Sequence, residues 1–178
     1  MSVSADRPRV VFDCNVLVQA ISNGSGPAGR ALGLLEQNLI AVYVSRTVLK
    51  ELRLVLHYPS VRQKLLDLDD EQIDAFIQQL TFRGTLLRRV PHVFDYPRAQ
   101  QDEPYIDLAA AAKANYLVSR DKDLLSLATD RTLIGKQFRQ RYPRLRVLNP
   151  VAFLAMVAPG GAGDMTFLTD RRNTGISG

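Results

Sequence analysis

Five carboxylates hold the reactive potential of this chain: Asp13, Glu51, Asp102, Asp121 and Asp123. Asp13 sits within "VVFDCNVLV" (10–18), one of the most apolar runs in the sequence, with Asn15 two positions on. Desolvating an unpaired charge costs several kcal/mol, so an acid in that place calls for a reason. Carboxylates gathered together repel, and one of them keeps its proton unless a cation neutralises the group. Cys14 is the single cysteine, which excludes an internal disulfide and a Cys-rich zinc site. It reads as a small buried residue. His57 and His92 stand far apart, outside any metal-ligand spacing, and read as surface or loop residues. With oxygen donors alone, the matching cation is hard: Mg²⁺ or Mn²⁺, as one or two ions. Such ions suit phosphoryl chemistry, and a pair about 3.5–4 Å apart clamps both sides of an in-line displacement.

Each acid also has a plain structural explanation. Asp13 can serve as a turn acid, and Glu51, beside Lys50 and Arg53, as an exposed helix charge. Asp102 suits a helix N-cap, and Asp121 and Asp123 suit a loop. Asp107, in the middle of a helix, reads as a solvated face residue. The joint pattern is harder to explain that way, because separate coincidences must share one edge of one fold.

That edge follows from the elements. Residues 9–12 with 16–18 are apolar and β-branched and predict a buried strand ending near Asp13. "SNGSGPAGR" (22–30) predicts a turn; it lacks the Lys-Ser/Thr of a phosphate-binding loop. A helix is expected over 28–38, a strand over 39–45, and a helix over 47–57 capped by Ser45 or Thr47. Helices are expected at 59–67 and 70–82, the latter starting at Asp69 or Asp70. A strand at 84–90, a loop at 91–101 and a helix led by Asp102 with Pro104 in its first turn follow. Strands at 116–119 and 145–150 and a last helix to Met156 complete the pattern. Alternating strands and helices predict an α/β fold: a five-stranded parallel sheet covered on both faces. Ligands bind such sheets at the carboxyl ends of the strands, which all five acids can reach.

The chain's 178 residues, nearly half apolar, suit one domain with a real core. The net charge of +5 favours an anionic partner. No apolar run approaches the roughly 20 residues that span a bilayer. The first residues lack the apolar stretch of a signal peptide, so a cytoplasmic location without membrane association is expected. A short N-terminal extension (1–8) precedes the domain, and a flexible Gly-rich tail (158–178) follows it.

Three blocks, "VVFDCNVLV", "SRTVLKEL" and "DEPYIDLAAAAKANYLVSRDKDLL", resemble the PIN-domain ribonucleases. The likeness covers residues 9–157 and is greatest to the bacterial branch described as toxin components of toxin–antitoxin systems. It implies a PIN-like domain with a Mg²⁺/Mn²⁺-dependent endoribonuclease site that hydrolyses RNA by water, leaving 5′-phosphate and 3′-hydroxyl ends. By this resemblance Asp13, Glu51, Asp102 and Asp121 are the catalytic, metal-binding acids and Asp123 an additional metal contact. Asn15 and Ser119 support the site. The implied partners are an RNA substrate, an antitoxin protein and a second copy of the chain in a dimer.

One segment departs from the family pattern: 129–144, longer than expected, carries Arg131, Lys136, Arg139, Arg141 and Arg144 with Phe138 and Tyr142 interleaved. It suits an RNA-backbone track with an aromatic for base stacking, or an amphipathic helix with a solvated basic face. Two other functions stay open. A phosphatase with an aspartyl nucleophile wants a general acid two residues after the first, where Asn15 stands. A non-catalytic PIN-like module would bind RNA or protein with the same acids idle.

Overall fold

The structure, a computed structural model, describes residues 6–161 together with Gly163 and Met165. The first strand, β1 (Arg9–Phe12), ends at Asp13, and helix α1 (Cys14–Ser22) follows at once. The strand ends next to Asp13 as expected, but residues 16–18, grouped with it by their apolar character, belong to the helix. A short apolar run does not distinguish a strand from a buried helix by periodicity. Asp13 decides it: its backbone is extended and its carboxylate accepts the Asn15 N–H, which starts a helix. Val16, Leu17, Ala20 and Ile21 then face the core at helical spacing, while Asn15 is exposed.

Helix α2 (Pro27–Glu36) opens on a proline, whose missing N–H costs nothing in a first turn. A Cβ at Gly29 would collide with the Gly24 backbone, so glycine there lets the turn close tightly. Strand β2 (Ala41–Ser45) leads into α3 (Arg46–Leu56), and the Ser45 hydroxyl caps it by accepting the Val48 N–H at 3.2 Å. Helix α4 (Pro59–Arg62) is a single turn, shorter than the expected 59–67. There the Arg62 side chain donates to the Leu68 carbonyl at 2.9 Å, and Leu65 and Leu68 turn inward. Helix α5 (Asp70–Arg83) starts on a full capping box of Asp69 and Gln72 and buries Ile73, Phe76, Ile77 and Leu80.

Strand β3 (Thr85–Leu87) is shorter than expected, and a 3₁₀ turn (Pro97–Asp102) lies at the end of the long connection to α6 (Glu103–Ala111). Strand β4 (Tyr116–Val118), α7 (Lys122–Ser126), α8 (Leu133–Arg141), β5 (Arg146–Leu148) and α9 (Pro150–Val157) complete the described elements.

The five strands form one parallel sheet in the order β3-β2-β1-β4-β5. The chain winds outward from β1 to β3, then returns to the other side of β1 to place β4. Right-handed crossovers consequently put α2 and α6 on opposite faces, and α9 packs against α2. Phe153 of α9 packs edge-to-face on Phe12 and Tyr116, with ring centroids 6.0 and 5.4 Å apart. The order reverses between β1 and β4, and a crevice opens at their carboxyl ends, where such sheets bind ligands. Asp13 follows β1 there, and Asp121 follows β4.

Two features refine the expected boundaries. The Pro8 carbonyl, in the expected N-terminal extension, accepts the Ala41 N–H at 2.9 Å. Within the expected tail, Met165 is buried and donates its N–H to the Gly24 carbonyl at 3.1 Å. Residues 1–5 and 166–178, which carry the rest of those two readings, lie outside the described residues.

Candidate active site

Asp13 is held from both sides. Its Oδ1 accepts the Asn15 N–H at 3.0 Å, and its Oδ2 accepts the Ser119 hydroxyl at 2.5 Å. The ladder continues past the strand ends, because the Asp13 N–H donates to the Val118 carbonyl at 3.0 Å. Burial pushes the Asp13 carboxyl above its usual range; the Ser119 and Asn15 hydrogen bonds oppose that, and the charges of Asp121 and Glu51 add to it.

Asp121 caps α7 and accepts the Asp123 N–H at 2.7 Å. Its own N–H donates to the Ser119 hydroxyl oxygen at 2.9 Å. One serine thus joins the acid after β1 to the acid after β4.

Asp102 differs from the expectation. It stands at the N-terminus of α6, but its backbone is helical and its side chain makes no cap bond. The carboxylate instead turns into the crevice, where it is 6% exposed and its Oδ2 has no hydrogen-bond partner. Burial raises its pKa to about 7, with further pushes from Asp121, Asp13, Asp123 and Glu51. Carboxylate oxygens of Asp102, Asp121 and Asp123 lie within 4.8 Å of one another.

The connection before α6 is pinned to α7. The Tyr96 hydroxyl donates to the Asp123 carbonyl at 2.9 Å, and Arg98 pairs with the Asp123 carboxylate at 2.9 Å. Glu51, half-buried on α3, accepts the hydroxyl of the buried Tyr105 at 2.5 Å. Sequence reasoning missed Tyr96, Arg98 and Tyr105. Tyr105 had one signal: it stands three residues after Asp102, hence on the same side of α6. Burial pushes its hydroxyl far above the usual range, so it remains a donor. Cys14 is buried as expected, and burial pushes its thiol up to about 12.

Asp107 is not the solvated residue expected. It is 6% exposed; it accepts the N–H groups of Val93 and Phe94 and bonds His92 Nδ1 at 2.8 Å. It fastens the long connection to α6 rather than entering the crevice.

The open part of the crevice is a cavity of about 740 Å³ whose lining includes Asn15, Gln19, Ser22, Lys64, Asp121 and Asp123. Asn15, Gln19 and Ser22 are spaced i, i+4 and i+7 along α1 and form a neutral polar row above the acids. Arg131, Lys136, Arg139 and Arg141 do not line this cavity. Helix α8 precedes a parallel strand and so runs from the carboxyl edge of the sheet toward its amino edge, which carries Arg139 and Arg141 away from the acids. Arg139 pairs with Asp130 at 2.7 Å, and the Arg141 guanidinium lies 5.5 Å from the Tyr142 ring centroid. Phe138 is not available for base stacking: it is buried, edge-to-face with Phe94 at 5.5 Å, and Tyr142 packs on both.

The donor set is all oxygen, three carboxylates converge, and one buried carboxylate oxygen is unpaired. These residues fit a hard divalent cation.

The fold and site define a parallel α/β protein with an acidic, cation-ready centre at the topological switch point. The PIN-domain family pattern matches residues 9–123, well over half of the chain, and the chain belongs to that family. PIN domains are generally nucleases. The chain is also 27% identical over 146 residues to an uncharacterised protein of the archaeon Methanocaldococcus jannaschii, with 82% of this chain and 89% of that protein covered. No helix among the described residues is long and apolar enough to cross a membrane.

Proposed function

We propose that this chain is an endoribonuclease that hydrolyses RNA phosphodiester bonds with Mg²⁺ or Mn²⁺ at the crevice between β1 and β4. The unpaired Oδ2 of buried Asp102 carries the reading. A carboxylate stripped of water and left without a donor is costly, and the cost is met when a cation occupies that oxygen. Asp102, Asp121 and Asp123 would hold the ion, with Asp13 and Glu51 completing the acidic wall. One or two ions fit this reading.

When bound, such an ion supplies Lewis acidity toward a phosphate oxygen and lowers the pKa of water. The protein's own part is preorganisation. Ser119 and the Asn15 backbone fix both oxygens of Asp13, so its negative charge is presented in one orientation. Tyr105 does the same for Glu51. Asn15 adds a polar group without adding repulsion. Lys64 and the cations on either side of Asp121 offset the acidic floor for an approaching polyanion. Products with 5′-phosphate and 3′-hydroxyl ends follow from the family resemblance.

A toxin role extends this reading and is supported by the motif likeness alone. Its partner would be an antitoxin protein, and suppression of cleavage by a co-expressed neighbour tests it. Light scattering tests the accompanying dimer. A cytoplasmic site of action belongs to the same reading.

The central test is cleavage of a labelled RNA with Mn²⁺ or Mg²⁺, with and without EDTA. Chelator-sensitive cleavage that Asp13→Asn abolishes, in a variant that keeps its circular dichroism, supports the proposal. Undiminished cleavage by Asp13→Asn would overturn it.

A further inference from the structure

A second cavity, of about 480 Å³, adjoins the acidic crevice, and Gln19 and Arg120 line both. Its other walls are of a different kind. Ala28, Leu125, Pro150 and Val151 make it mainly apolar, and Asn149 stands among them. A mostly apolar cavity of roughly 300–1,000 Å³ with a few converging polar groups is the usual form of a small-ligand site. It is far too small for a nucleic-acid duplex, whereas it has room for an unstacked base, whose flat faces suit its apolar walls. Single-stranded RNA is read in this way, with bases splayed out and held by their edges.

The polar groups have a definite sense. Asn149 caps α9: its Oδ1 accepts the Ala152 N–H at 2.8 Å. That bond fixes the amide orientation, since only the oxygen can accept it. The Asn149 NH₂ is therefore the end left over, and it can only donate. Arg120 also only donates, and among the described residues it forms no ion pair. It directly precedes Asp121, so it stands where the crevice and the second cavity meet.

We infer that this cavity is a nucleobase pocket that favours a keto base, uracil or guanine, in a single RNA strand whose backbone passes Arg120 on its way to the acids. Uracil and guanine present a carbonyl where cytosine and adenine present an amino group. Arg120 and the Asn149 NH₂ satisfy the first and leave the second facing another donor, while Gln19, whose amide can donate or accept, does not discriminate between them. The inference rests on the ribonuclease reading for its ligand class, but not for its chemistry.

The test is fluorescence anisotropy with 5′-fluorescein 12-mers of uridine, cytidine and adenosine. It uses the full chain carrying Asp13→Asn, in Mg²⁺, so that binding is read without cleavage. Oligo-U should bind about fivefold or more tighter than oligo-C. Asn149→Asp keeps the cap oxygen, and so the fold, but replaces the NH₂ donor with an acceptor; it should bring the U-to-C ratio to one or below. Arg120→Gln should weaken binding of all three oligomers and reduce the slope of log K against log salt by about 0.7. Thermal melting checks that both variants are folded. A wild-type-like ratio in folded Asn149→Asp overturns the inference, as does equal binding of U and C before that change, or no binding of any oligomer. Cleavage of oligo-U by the chain with Asp13 intact is measured in parallel. The base preference without cleavage would sink the ribonuclease reading and leave the pocket standing. Cleavage without the preference would do the reverse.

Discussion

Ser119 and Asp13 share a 2.5 Å hydrogen bond between neighbouring strand ends, and the same serine oxygen accepts the Asp121 N–H at 2.9 Å. Ser119 is fully buried, so both bonds form away from bulk water. The first and fourth acids of the site therefore take their relative position from one hydroxyl.

Ser119→Ala removes that hydroxyl and leaves Asp13 with one donor and the Asp121 N–H with none. A buried group left unpaired costs about 1–3 kcal/mol, so the urea midpoint should fall accordingly. Removing a group that orients a ligand typically lowers metal affinity about 10–100-fold. Mn²⁺ titration by calorimetry should show that loss. Unchanged affinity would mean that Asp13 holds its position without Ser119.

Tyr105→Phe separates position from charge at Glu51. The ring still fills its buried place, while the 2.5 Å bond to Glu51 disappears. Glu51 is only half-buried and water can replace the lost donor, so stability should change by about 1 kcal/mol or less. Activity should fall further than stability, because Glu51 is released from one rotamer. Comparing cleavage rate with melting temperature decides it; parallel losses would make Tyr105 a packing residue only.

Asp102 predicts an inversion between the metal-free and metal-loaded protein. Its folded pKa of about 7 stands above the ordinary 3.8, so the unfolded chain gives up this proton first. As pH rises from 3.8 toward 7, this group accordingly lowers the stability of the metal-free protein. Asp102→Asn should raise the melting temperature in EDTA at neutral pH. In saturating Mg²⁺ the order should reverse: ligand at a hundred times its dissociation constant adds about 2.7 kcal/mol to wild type, and the variant loses most of that gain. Equal Mg²⁺ stabilisation of both proteins would remove Asp102 from the ion's donors.

The sheet and the five acids were legible because strand and helix periods alternate, and because parallel topology brings strand ends together. The blurred points are those where one pattern has two physical meanings. "CNVLV" is apolar enough for strand or helix, and only the Asp13 side chain, turned onto the Asn15 N–H, picks the helix. Asp102 precedes a helix as a cap would, yet its helical backbone points the carboxylate elsewhere. Asp107 reads as solvated from its place in the middle of a helix, but a connection more than ten residues upstream folds over it and claims both its oxygens. Tyr105 and Phe138 are both aromatics in helices. One reaches a carboxylate and the other only the core, and no local spacing separates them.

His92 gives the pH prediction that lies outside the acidic crevice. Its Nδ1 bonds Asp107 at 2.8 Å, while its Nε2 faces Asp95 at 2.9 Å and Glu103 at 3.9 Å. The Asp107 bond does most to raise its pKa from the ordinary 6.5 to about 9, and Asp95 adds to it. The folded pKa exceeds the unfolded one, so the stabilisation is fully present below pH 6.5 and is lost as pH climbs through 9. His92→Gln keeps a donor for Asp107 but cannot titrate. Wild-type urea midpoints should decline between pH 6.5 and 9, and those of His92→Gln should decline less, since Asp102 still contributes near pH 7. NMR titration of the imidazole gives the value directly. A midpoint near 6.5 would show that Asp107 holds a neutral ring, and that no charge pairing at His92 fastens the connection before α6.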